Sequence, residues 1–187
     1  MPQESLTRLE GMFGEVCDRL WERTDTYWHR GEFERCIALM RLITRIDPHD
    51  IQAYDDGAWL MQNQLRDDEA EAFLREGLGW NHDSYDLYFS LGYFYYNRLR
   101  FDEATRYLET AVTFEVPHFV WHQLAHANEQ AGRTGDALCI WLMLEAKDAD
   151  YAVPRMQAER ILRGEPPSQT PYAIYRSHEE RKAEQGQ

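Results

Sequence analysis

Positive charge is scarce in this sequence. Acids outnumber Lys and Arg 33 to 20 across 187 residues, a formal net charge of −13. Binding to phosphate backbones or anionic bilayers rests on cations, so this balance argues against nucleic acid and membrane partners. It is compatible with a basic protein partner, and net charge also serves solubility. Cysteine is sparse too. Cys17, Cys36 and Cys139 are an odd number with no CxxC pair, which is no disulfide framework. Cys36 and Cys139 are expected in the core. No apolar run approaches the ~20 residues a spanning helix needs. The opening MPQESLTRLEGMFGEV is too acidic and polar for a signal peptide, so a reducing cytoplasm is the expected location. GxSxG, P-loop and GxGxxG patterns are all missing, and the chain reads as non-catalytic and without a cofactor.

What is present is a repeat. The stretch LGYFYYNRLRFDEATRYLETA (91–111) recurs 34 residues earlier as GAWLMQNQLRDDEAEAFLREG (57–77). It recurs again as RTDTYWHRGEFERCIALMRLI (23–43), and 33 residues later as LAHANEQAGRTGDALCIWLML (124–144). The eighth position of each unit is slight (Thr24, Ala58, Gly92, Ala125), and the twentieth is small (Cys36, Ala70, Ala104, Ala137). Position 4 is large (Leu20, Tyr54, Tyr88, Trp121), as is position 24 (Met40, Leu74, Leu108, Trp141). Small residues let two helices approach, and large ones fill the space beside the contact. HRGEFE, NQLRDDE, NRLRFDE and QAGRTGD break each unit midway, with acids placed to start the next helix. The expected helices are 17–30, 34–46, 51–63, 67–79, 85–97, 101–114, 118–131 and 134–147.

This pattern resembles the tetratricopeptide repeat, W-x2-L-G-x2-Y followed by alanine, an aromatic, alanine and proline over 34 residues. Tyr88, Leu91, Gly92, Tyr95, Ala104, Tyr107, Leu108 and Ala111 carry it best, with Tyr27, Gly31 and Pro48 in the first unit. Gly57 and Arg23 depart from the seventh-position leucine, and Gly77 from an alanine. The resemblance implies an all-α fold, a right-handed α-solenoid of four helix-turn-helix repeats. The repeats span 17–50, 51–84, 85–117 and 118–151, after an N-terminal segment 1–16 with room for a short helix. Residues 151–163 read as a capping helix, with Pro154 in its first turn and Met156, Ile161 and Leu162 covering the last repeat. Residues 164–187 read as a Pro-rich linker and charged tail, whose Tyr172, Ile174 and Tyr175 are within reach of the last repeats.

In this family ligands lie against first-helix positions 2, 5, 6, 9, 12 and 13, on the concave face. Carried over to this chain, those 24 positions hold seven acids, seven aromatics and no Lys or Arg. The resemblance therefore implies a peptide-binding strip containing Trp21, Asp25, Trp28, Asp55, Trp59, Asp86, Phe89, Tyr93, Tyr96, His122 and His126. Tyr93 and Tyr96 are expected on the open strip, Tyr95 in the core and Phe94 in packing. His118, His122 and His126 are spaced by four. One metal cannot take all three, because eight residues of helix climb about 12 Å. They read as polar strip residues, not as a metal site. Family members that hold acidic chaperone C-termini use Lys, Asn and Arg, whereas Trp21, Asp25, Asp56, Asp86 and Ser90 occupy the matching positions here, so that function is set aside. The expected partner is a protein segment carrying Lys or Arg with apolar residues, bound by a non-catalytic scaffold or adaptor. Two alternatives stand beside it: a dedicated chaperone like those of type III secretion, and a structural subunit whose groove is self-occupied or filled by another copy.

Overall fold

The computed structural model describes residues 2–168, 171 and 179–184, with side chains from residue 11 onward. Two compact units divide the chain, Met1–His82 and Asp83–Gln187. The first holds α1 (Pro2–His29), α2 (Phe33–Ile46), α3 (Ile51–Asn63) and α4 (Asp67–Trp80). The second holds α5 (Asp86–Tyr96), α6 (Phe101–Ala111), α7 (His118–Gln130), α8 (Thr134–Lys147) and α9 (Ala152–Leu162). The described residues contain no strand. Within each unit every helix packs on the next in the chain.

The turn inside each helix pair repeats one device. Gly31, Leu65, Leu99 and Gly132 all have φ between 57° and 78°, the left-handed region. Each ends its helix with a backbone bond that reaches back five residues. Glu32 N–H donates to Tyr27 O at 2.9 Å, Arg66 to Met61 at 2.9 Å, Arg100 to Tyr95 at 3.0 Å and Arg133 to Asn128 at 2.8 Å. This closure satisfies carbonyls that a helix C-terminus leaves open. A leucine there costs about 1–2 kcal/mol where glycine costs little. Leu65 offsets part of that cost by burying its side chain.

The small positions are where helices touch. Ala58, Ala70, Ala104, Ala125 and Ala137 are buried, and the Cys36 thiol lies 3.6 Å from Thr24 O. Gly92 admits Leu108, whose Cγ would lie 2.6 Å from an added Cβ. Gly77 departs from the repeat pattern for the same kind of reason. Tyr54 packs on its backbone, and a Cβ there would meet the ring at 2.6 Å.

Three expectations need correction. The first helix starts at Pro2 and runs unbroken to His29, with Gly11 and Gly14 inside it, where the sequence sets residues 1–16 apart from a helix beginning at 17. Glycine weakens a helix by about 1 kcal/mol without forbidding it. Cys139 is exposed and not core, because it lies on the face of α8 turned to solvent, while Ala137, Trp141 and Leu144 turn inward. On α9, Met156 and Leu162 are exposed. Pro154, Ala158 and Arg160 are the buried residues, and Ile161 packs beside Ala158 against Trp141.

Candidate functional site

Unit 1 carries an open pair of indoles. Trp28, near the end of α1, stacks on Trp59 of α3 with ring centroids 5.6 Å apart and planes 29° apart. Phe33, which opens α2, meets Trp28 edge-on at 5.7 Å. Trp28 is 39% exposed and Trp59 52%, so the stack is an accessible face and not a core. Phe33 escaped sequence reading because it lies on a second helix, off the strip the repeat pattern marks. The acids stand close by in sequence. Asp25 is exposed one turn before Trp28, with an oxygen 3.4 Å from His29 Nε2. Asp55 is exposed one turn before Trp59. Asp56 is half-buried, and burial pushes its carboxyl up, while the bond from Gln52 Nε2 pulls it down and Asp50 pushes it up again.

Trp21 has a different role. Its Nε1 donates to Asp50 Oδ2 at 2.9 Å, and Asp50 Oδ1 accepts from Ala53 N–H at 2.9 Å as the cap of α3. The indole is half-buried and tied to the start of α3.

On unit 2, Phe89 stacks on Tyr93 at 6.1 Å and meets Phe119 edge-on at 5.1 Å. Tyr93 is 43% exposed and Phe119 is likewise open. Asp86 is half-buried at the start of α5 and accepts a hydrogen bond from Ser84 Oγ. Tyr96, expected on the open strip, is only 3% exposed and meets Phe101 edge-on at 5.7 Å. Burial, then Glu129 and Tyr93, hold its phenol well above the usual tyrosine range.

The histidine row is also more enclosed than the repeat pattern implied. His118 and His122 stack on Tyr151, at 5.7 and 5.5 Å. His122 and His126 lie against Trp141, at 5.1 and 5.2 Å. His126 is 6% exposed, and burial, with His122 and Arg160 beside it, lowers its imidazole to about 4. The α8–α9 connection, through Tyr151, covers what a bare repeat would leave open. Among the described residues no three His, Cys, Asp or Glu side chains gather as a metal site. Tyr172, Ile174 and Tyr175 lie outside the described residues. No described helix is long and apolar enough to cross a membrane.

No family model matches the sequence, and no curated protein does. Solved structures do match in three dimensions. PilF of Pseudomonas aeruginosa superposes with a TM-score of 0.65 at 19% identity, over 89% of this chain and 78% of that one. MamA superposes with a TM-score of 0.61 at 14% identity, over 91% of this chain and 96% of that one. YrrB, described as a TPR protein with an unusual peptide-binding site, gives 0.59 at 18% identity, over 78% and 79% of the two chains. The chain is a helical-repeat protein. Its fold is that of the tetratricopeptide repeat.

Proposed function

We propose that this protein is a non-catalytic interaction module of the cytoplasm that binds a protein segment carrying Lys or Arg beside aromatic, aliphatic or proline residues. The exposed Trp28–Trp59 stack is the observation that carries this reading. Two stacked indoles in water leave large flat apolar faces unused, and such aromatic surface is what dominates protein interfaces. Asp25 and Asp55, each one turn from a tryptophan, supply the charge that selects a cation. A guanidinium or ammonium over an indole face contributes about 0.5–2 kcal/mol, and pairing with an acid fixes its position. The excess of acids over bases draws a basic segment in. Ordering the segment offsets much of this, so the expected affinity is about micromolar. YrrB, a neighbour in fold, is described as having a peptide-binding site, which is compatible with this use of the architecture.

A peptide-array screen of the full chain tests the ligand class. Enrichment of Arg or Lys next to aromatic, aliphatic or proline residues is expected. Selection of acidic or charge-neutral sequences would contradict the reading.

A further inference from the structure

Past α9 the chain turns back instead of leaving. Gly164, at φ 70°, makes the turn. Its N–H donates to Ile161 O at 2.9 Å, and Glu165 N–H donates to Arg160 O at 3.1 Å. The segment 165–168 then comes under a single side chain. Arg160 Nη1 donates to Glu165 O at 3.1 Å and to Pro166 O at 2.6 Å. Its Nη2 donates to Glu129 Oε2 of α7 at 2.6 Å, and its Nε to Gln157 Oε1 at 2.9 Å. Gln157 Oε1 also accepts from Ser168 Oγ at 3.0 Å.

Arg160 and Glu129 are both buried. All three guanidinium nitrogens are used, two of them to hold the fork in place and one to take successive carbonyls of a passing strand. An arginine fork so fixed reads backbone geometry and loses little freedom on doing so. Prolines 166 and 167 suit the strand to it, since an extended prolyl segment is largely pre-ordered.

We propose that Arg160, Gln157 and Glu129 form a binding site for an extended, proline-bearing segment with a hydroxyl residue after the prolines, and that residues 165–168 fill it in the free chain. A segment of another protein with the same chemistry takes the site when the chain's own strand lets go. The site does not draw on the tryptophan face of unit 1, and either stands if the other fails. Tethering through one glycine gives the chain's own copy a local concentration of about millimolar or more, so an incoming segment binds only after competing with it.

The test uses the full chain and a labelled peptide of sequence RGEPPSQTP, followed by fluorescence anisotropy. Gly164→Val releases the strand, because a β-branched residue resists positive φ, while nothing lies within 4 Å of the new Cβ to disturb packing. The peptide is expected to bind Gly164→Val at least about fivefold more tightly than the unaltered chain. Adding Arg160→Lys, which keeps the charge and loses the fork, abolishes that binding. Gln157→Ala, which removes the acceptor shared by Ser168 Oγ and Arg160 Nε, weakens it severalfold and serves where Arg160→Lys does not fold. Equal binding to Gly164→Val and the unaltered chain, or binding indifferent to both further substitutions, overturns the proposal.

Discussion

His126 sits in an environment far from that of an ordinary histidine. Enclosed by Trp141 and neighboured by His122 and Arg160, it favours the neutral form, with its imidazole lowered to about 4 against an unfolded value near 6.5. A base with a depressed folded pKa contributes its full share of stability above the unfolded value, and that share is lost as pH falls. Between about pH 6.5 and 4 the unfolded chain binds the extra proton, so unfolding becomes easier by an amount on the order of 2–3 kcal/mol. Urea melts at pH 7.0 and 5.0 are expected to show the native chain losing clearly more stability than His126→Gln over that interval. Equal losses would contradict it. The repeat pattern placed His126 on an open strip, because that pattern describes one repeat among identical neighbours. Trp141 encloses His126 from the paired helix α8, and Arg160 reaches it from α9, which lies past the last repeat and which no single-repeat pattern contains. Gly77 is the opposite case. Its departure from alanine was visible in the sequence, and its reason, the Tyr54 ring 2.6 Å from a would-be Cβ, is a tertiary contact.

Between elements, the buried pair of Glu129 on α7 and Arg160 on α9 links two helices at 2.6 Å. Removing one partner leaves the other charge buried and uncompensated, which costs about 3–5 kcal/mol, whereas apolar replacement of both is often close to neutral. Glu129→Met alone should therefore lower the melting temperature markedly, and Glu129→Met with Arg160→Met should recover most of the loss. Additive losses in the double variant would show that the two side chains act separately. Helix positions were largely legible, since apolar spacing, acidic first turns and the mid-repeat turns all recur at intervals of 33–34 residues. The left-handed turns at Leu65 and Leu99 match those at Gly31 and Gly132, so the repeat was readable even where glycine was replaced. The extension of α1 to Pro2 was not legible, because Gly11 and Gly14 imitate a boundary. Nor was the use of Arg160, whose partners lie 31 residues back and in the segment just ahead.

At the scale of the whole molecule, two facts bear on what the protein does: an excess of 13 negative charges, and tryptophans left open where a folded chain could have buried them. Charge steers a basic segment inward over a distance that salt shortens, to about 8 Å at 0.15 M. Aromatic contact then holds it, and salt leaves that part largely untouched. The two contributions separate in a single titration series. Calorimetry of the full chain with an Arg-aromatic peptide chosen from the array, at 50 and 500 mM salt, with Trp59→Ala and Arg45→Ala alongside, is the most direct test. Binding is expected at about micromolar Kd in low salt, weaker severalfold in high salt, at least about tenfold weaker in Trp59→Ala and unchanged in Arg45→Ala on the outer side of α2. Affinity that ignores Trp59→Ala, or that rises with salt, would contradict the account.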